Sequence, residues 1–180
     1  MRDERGNFTV FDLPGVFSVT TGGDININEE GAIAGSYYDA NGTHGFVRDK
    51  RGNITTIDVP GAPSTLAQSI NAKSAIAGYY YDTNGYFHGY VRDQKGNFTT
   101  IDVPGALDTA AVSINAEGAI AGYYYDTNGY FHGYVRDQKG NFTTIDVPGA
   151  LDTAAMSIND EGVVAGNSYA GKEQGFVLSQ

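Results

Sequence analysis

Three histidines, His44, His88 and His132, occupy equivalent points of a sequence that repeats itself. Imidazole is the side chain best suited to moving a proton or ligating a metal near neutral pH. A shared metal would require the three rings to converge to about 2 Å from one ion. Each histidine instead heads the motif "HGF" or "HGY" on the third strand of its own unit, away from any central axis, and rotational repetition keeps the three well separated. Each ring is expected to hydrogen-bond a neighbouring loop, with Gln174 taking that role in the fourth unit, and no metal site is expected.

Carboxylates recur with the same regularity. Asp82–Gly85 and Asp126–Gly129 read "DTNG", and Asp39–Gly42 reads "DANG". Calcium takes about six to eight oxygens, whereas these turns offer two side chains and no downstream glutamate, so the expectation is a hairpin turn in which Asn-Gly supplies positive φ. Asp12, Asp58, Asp102 and Asp146 precede a Pro-Gly turn in every unit and are expected to bond the backbone amides of that turn. No partner carboxylate is identifiable for any of them. The Asn-x-Thr sequons at Asn7, Asn41, Asn53, Asn97 and Asn141 are mostly repeats of a single Gly-Asn turn. Nucleophile elbow, phosphate loop, dinucleotide fingerprint and zinc signature are all missing from the sequence, and no cofactor is expected.

Thirteen tyrosines stand out, concentrated in "YYYDTNGYF" followed by "HGY". Packing between sheets accounts for some of them. The turn tips, however, group Tyr86 and Tyr130 with Asp, Asn and His, a mixture that offers an aromatic face and planar polar groups to a sugar. Asp82, Asn84, Tyr86 and His88, with Asp126, Asn128, Tyr130 and His132, are therefore the candidate ligand-binding residues, and no catalytic residue is assigned.

The elements that must position these residues follow from the repeat. Ala34-Gly35, Ala77-Gly78, Ala121-Gly122 and Ala165-Gly166 are separated by 43, 44 and 44 residues, and Gly78–Ala111 is identical to Gly122–Ala155. Each unit resolves into four extended segments, which in the third are Thr109–Asn115, Ala119–Asp126, Phe131–Gln138 and Asn141–Val147, separated by Gly-, Asn- and Pro-bearing turns. In "AIAGYYYD" neither alternate face is polar, so both sides of the strand must be covered. Four-stranded sheets apolar on both sides, repeating about every 44 residues, point to an all-β, four-bladed β-propeller in one domain spanning residues 1–180. The units are about 16–58, 62–103, 106–147 and 150–180, the last completed by 1–14. "RDERGNFTVFDLPG" at the start matches "RDKRGNITTIDVPG" at Arg48–Gly61, so Phe8–Leu13 is expected to pair beside Gly175–Leu178 and close the ring. Two places break the repeat, an insertion around Val19–Gly23 and the loop Ser168–Gln174. The strand order puts "DTNG" and "DVPGALDT" on one face of the molecule, and the turns "NAEG" and "RDQKGN" on the other, where they are expected to be solvated.

Composition narrows the partners. The formal net charge is −10, from 21 acidic and 11 basic residues, with no basic cluster that would track phosphates, so neither nucleic acid nor membrane insertion is expected. With no cysteine, disulfides and thiol chemistry are excluded.

The recurrent "SIN-x-x-G-x-(I/V)-(A/V)-G" at Ser69–Gly78, Ser113–Gly122 and Ser157–Gly166, followed by "H-G-(F/Y)-V", resembles the bacterial extracellular repeat family named for its His-Ala-Phe (HAF) motif. Gly45, Gly89 and Gly133 stand where that motif has alanine, and Gln174 where a fourth histidine would be. The resemblance implies a propeller-like fold and an extracellular or cell-surface setting, and no defined reaction. Repetition itself speaks against catalysis, because an active site draws unlike residues from unlike positions. The expectation is therefore a non-enzymatic, monomeric binding or scaffold module that takes glycans weakly and multivalently on the "DTNG" face. The alternative is a hydrolase or lyase with a single site at the channel mouth, which would show one pocket of unlike polar residues.

Overall fold

A computed structural model describes residues 8–13, 15–19 and 25–179. Among these residues the structure is all-β, without a helix. The first unit contains β1 (Ser18–Val19), β2 (Asn26–Ile27), β3 (Ile33–Asp39), β4 (Gly42–Arg48) and β5 (Ile54–Ile57). The second has β6 (Ser64–Ile70), β7 (Ile76–Tyr81), β8 (Phe87–Arg92) and β9 (Phe98–Ile101). The third has β10 (Asp108–Ile114), β11 (Ile120–Tyr125), β12 (Phe131–Arg136) and β13 (Phe142–Ile145), and the fourth β14 (Asp152–Ile158), β15 (Val164–Tyr169) and β16 (Glu173–Leu178). Each unit is one antiparallel sheet whose strands lie in chain order, except that β1 and β2 both pair with β3.

Local chemistry sets the turns and the registers. In the β7–β8 hairpin Asp82 Oδ1 accepts the amides of Asn84 and Tyr86, at 2.8 and 2.9 Å, while Gly85 sits at φ 90°. The hairpin turn expected of "DTNG" is present, with the positive φ at Gly85 and the turn closed by the Asp82 side chain as an Asx turn. In the third unit β10 bulges between Ala111 and Ser113, opposite Gly122. A Cβ on Gly122 would run into the carbonyl of Ala110 and lie 2.9 Å from the Tyr134 ring, so only glycine lets strand and ring approach this closely.

The sheets stack, each burying one face against the next. Ala34, Ile57 and Val59 of the first unit pack with Ala67, Ile70, Ile76 and Tyr90 of the second. Ala77, Ile101 and Val103 pack in the same way with Ala111, Ile114, Ile120 and Tyr134. Ala121, Val135 and Ile145 then meet Ala155, Ile158 and Val164. Each fully buried isoleucine contributes about 1.5–3 kcal/mol, so this repeated interface is what holds the arc together. The "NAEG"-type turns add a polar seam. Asn28 Nδ2 donates to the main-chain oxygen of Asn71, Asn71 Nδ2 to that of Asn115, and Asn115 Nδ2 to that of Asn159, each at 3.0 Å. These asparagines were expected in solvated turns, but Asn28, Asn71 and Asn115 are buried, because the next sheet lies directly over them.

The expected ring closure is corrected. The fourth sheet has three strands, in the order β14-β15-β16, and Val177 on β16 is 72% exposed. Phe8–Leu13 does not lie beside it. Phe8 forms a single bridge, Phe11 lies edge-on to Phe46 at 6.2 Å, and Leu13 is buried with Tyr37 and Phe46 on the first sheet. The physical reason is that the arc of sheets does not bring β16 round to this segment, which packs on Phe46 as an outer strand packs on the sheet that follows it. Residues 1–7 and 14 of the closing segment, and 20–23 of the insertion, lie outside the described residues.

Candidate functional site

The clearest constellation is built three times. His88 follows Phe87 on β8, and its register partner on β7 is Tyr80. The two rings stack, with centroids separated by 5.3 Å and planes at 29°. The Tyr80 hydroxyl shares a 3.4 Å hydrogen bond with the Thr100 hydroxyl on β9. His88 Nδ1 lies 2.9 Å from Asp102 Oδ1, so Nδ1–H donates to the carboxylate. On its other side Nε2 is 3.9 Å from Asp82 Oδ2.

His132 repeats the arrangement, with Asp146 at 2.8 Å, Asp126 at 3.7 Å and Tyr124 stacked at 5.1 Å. Around His44 the clamp is tighter, with Asp58 at 2.7 Å, Asp39 at 3.3 Å, Tyr37 at 5.2 Å and Nε2 buried without a hydrogen bond. In the fourth unit Ser168 and Gln174 hold the paired positions, and no clamp forms.

The structure thus brings His88 together with Asp82 and His132 together with Asp126, and adds residues that sequence reasoning did not select. Asp58, Asp102 and Asp146 were expected to bond turn amides. They bond histidines, because the turn amides of Val59, Val103 and Val147 are taken by the hydroxyls of Thr65, Thr109 and Thr153 at 3.0, 3.0 and 3.1 Å. The stacked tyrosines, Tyr37, Tyr80 and Tyr124, were also missed. Their signal was present: in an antiparallel pair the middle residue of "YYY" falls opposite the histidine once the hairpin is fixed.

The tip residues divide into used and free groups. Asn84 Nδ2 donates to Asp82 Oδ2 at 3.0 Å, and Asn128 Nδ2 to Asp126 Oδ2 at 2.9 Å, so both pairs are committed to their turns. Tyr86 and Tyr130 are 47% and 45% exposed and free to meet a ligand. Desolvation pushes the Asp82 carboxyl up, but the Asn84 side chain and the amides of Tyr86 and Asn84 outweigh it, and His88 adds a small favourable charge. The net value lies below the ordinary carboxylate one. At Asp126 the same donors, led by the Tyr130 amide, hold the carboxyl down at about 2. Both carboxylates are thus ionised at neutral pH and able to stabilise a positive imidazole beside them.

A separate cavity of about 450 Å³ opens at the fourth sheet, bounded by Tyr123, Phe131, Asp152, Met156, Asn167 and Glu173. It lies where the copied block ends. Asn167 and Ser168 stand there in place of the tyrosines of the middle units.

No family model and no curated protein matches the chain, so the likeness to the His-Ala-Phe repeat family rests on its motifs alone. Among solved structures the chain is similar to virginiamycin B lyase from Staphylococcus aureus, in a catalytically inactive variant with a histidine replaced by alanine, determined with quinupristin. The TM-score is 0.57 at 12% identity, over 99% of this chain and 61% of the lyase, so the chain spans about three-fifths of that protein's length. The likeness establishes a repeat-like, propeller-type all-β fold. It also corrects the non-enzymatic expectation: the solved protein that shares this fold is a lyase, so repetition of such sheets does not speak against catalysis, and carbohydrate binding gains no support from it.

Proposed function

We propose that this chain is an enzyme of the lyase type in which a clamped histidine, His88 or His132, moves the proton. The observation that carries this reading is the clamp itself. Nδ1–H is tied to a carboxylate, so the neutral ring presents Nε2 as the base. In an elimination, Nε2 takes a proton from a carbon of the substrate. The C–H electron pair becomes the new double bond, and the neighbouring bond to the leaving group breaks with its electrons. The imidazolium then returns the proton to the leaving group. Asp82 or Asp126, close to Nε2, stabilises the positive ring between these two transfers. Asn84 and Asn128 hold those carboxylates in place, and Tyr86 and Tyr130 provide the exposed rings against which a substrate rests. Support from outside the chain is the fold shared with a lyase that loses activity when one of its histidines is replaced.

The test uses quinupristin, the compound found with that lyase. Wild type should consume it, followed by chromatography. The double variant His88→Gln, His132→Gln should be at least about a hundredfold slower, the scale of losing a general base. Glutamine is chosen because Gln174 already occupies the equivalent position in the fourth sheet. If wild type leaves quinupristin untouched, or the double variant consumes it equally fast, the reading is wrong.

A further inference from the structure

The two ends of the arc carry the two halves of one interface. Where sheets meet inside the chain, an isoleucine of the later unit packs with an alanine of the earlier one: Ile70 with Ala34, Ile114 with Ala77 and Ile158 with Ala121. Those three isoleucines are each 6% exposed, whereas Ile27, their equivalent in the first unit, is 52% exposed. The three alanines are fully buried, whereas Ala165, their equivalent in the fourth unit, is exposed. One end has a plug without a socket and the other a socket without a plug.

The polar seam is interrupted in the same way. Ser69 and Ser113 accept the amides of Ile114 and Ile158 at 3.3 and 3.2 Å, but Ser157 is exposed. Asn115 reaches forward to Asn159, and Asn159 is itself exposed. Asn167, at the cavity that the fourth sheet shares with Tyr123 and Phe131 of the third, has an Oδ1 buried without a hydrogen-bond partner.

The strand count points the same way. β4, β8 and β12 each carry an outer strand, whereas β16 has none among the described residues. Phe8–Leu13 has the sequence of such a strand. Leu13 and Phe11 lie against Phe46 as Val59 and Ile57 lie against Tyr90, and as Val103 and Ile101 lie against Tyr134. The segment thus occupies the place of the outer strand of a preceding sheet whose other strands are not among the described residues.

We propose that a second copy of this chain supplies them. The fourth sheet of one copy seats on the first sheet of the other, Ala165 receives Ile27, and β16 pairs with Phe8–Leu13 of the other copy. This replaces the expected monomer with a head-to-tail assembly that reproduces the internal sheet-to-sheet contact between molecules. The contact is heterologous, so one copy has both a donor and an acceptor end.

Sedimentation of the 180-residue chain tests this. Wild type should run at twice its 19.1 kDa or more. Ala165→Asp and Ile27→Asp, both at exposed positions that the fold of the single chain tolerates, should each run as monomers. Mixed together they should form a dimer, because one retains the plug and the other the socket. The proposal is overturned if wild type is monomeric at every concentration, if either single variant still self-associates as wild type does, or if the mixture stays monomeric.

Discussion

The side-chain amide of Asn71 donates to the main-chain oxygen of Asn115, forty-four residues later, at 3.0 Å. The same asparagine accepts the amides of Lys73 and Ala75 at its Oδ1, at 3.0 and 2.9 Å. One side chain therefore closes its own turn and fastens the next unit. Asn28 and Asn115 do the same.

Asn115→Ala should cost about 1–3 kcal/mol, because it removes the acceptor of the part-buried Ala119 amide and the donor to the Asn159 oxygen together. Asn159→Ala, at an exposed position, should cost below about 1 kcal/mol, both variants being made in the monomeric Ala165→Asp background. Urea denaturation of the two variants checks the contrast. Equal costs would mean that the seam between sheets adds nothing.

Gly89 and Gly175 occupy equivalent positions, and alanine should be tolerated at only one of them. A Cβ on Gly89 would lie 2.9 Å from the Ile101 carbonyl oxygen and 3.3 Å from the Ala111 amide, while at Gly175 the nearest atom is 3.9 Å away. In the Ala165→Asp background, where the fourth sheet stays uncovered, Gly89→Ala should destabilise by about 1–3 kcal/mol through overpacking, and Gly175→Ala by less than about 0.5 kcal/mol. Thermal unfolding separates the two.

Much of the architecture was legible in the sequence because it depends on local patterns. Gly-bearing turns, the two-sided apolar strands and the 44-residue period gave the hairpins and the stacking of sheets. Closure was not legible, because the match between Phe8–Leu13 and Ile54–Val59 says which kind of strand the segment is but not which sheet edge it joins. Similarly, "DVPG" suggested that Asp102 would serve its turn. Only the register that places His88 beside it, and Thr109 on the turn amide, shows its actual partner. The exposed tip tyrosines were legible because no strand pattern buries Tyr86 or Tyr130, whereas their less exposed neighbours in "YYY" looked identical to them in the sequence.

Ala111 tests the stacking directly. It is fully buried on β10, and its amide lies against Gly89 of the preceding sheet. Ala111→Phe leaves no room for a ring between the second and third units and should cost about 3 kcal/mol or more. Denaturant titration reads this. An unchanged midpoint would mean that these sheets do not pack face to face.

The acid limb of stability should carry the signature of Asp126. Its carboxylate accepts the amides of Tyr130 and Asn128 and the side chain of Asn128, at 2.9, 2.8 and 2.9 Å. The Tyr130 amide contributes most to holding the carboxyl down at about 2, against an ordinary 3.8. A carboxyl lowered by folding stabilises the fold while it is ionised. Its contribution is therefore complete above 3.8 and is lost as pH falls from there through about 2, where protonation removes the acceptor. The β11–β12 turn should loosen in that window, with the amides of Asn128 and Tyr130 the first in their hairpin to exchange. A carboxyl-carbon NMR titration should place the Asp126 midpoint near 2, and Asp126→Asn should flatten the loss of melting temperature across the same range. A midpoint at or above 3.8 would mean that the turn is not tied through this carboxylate.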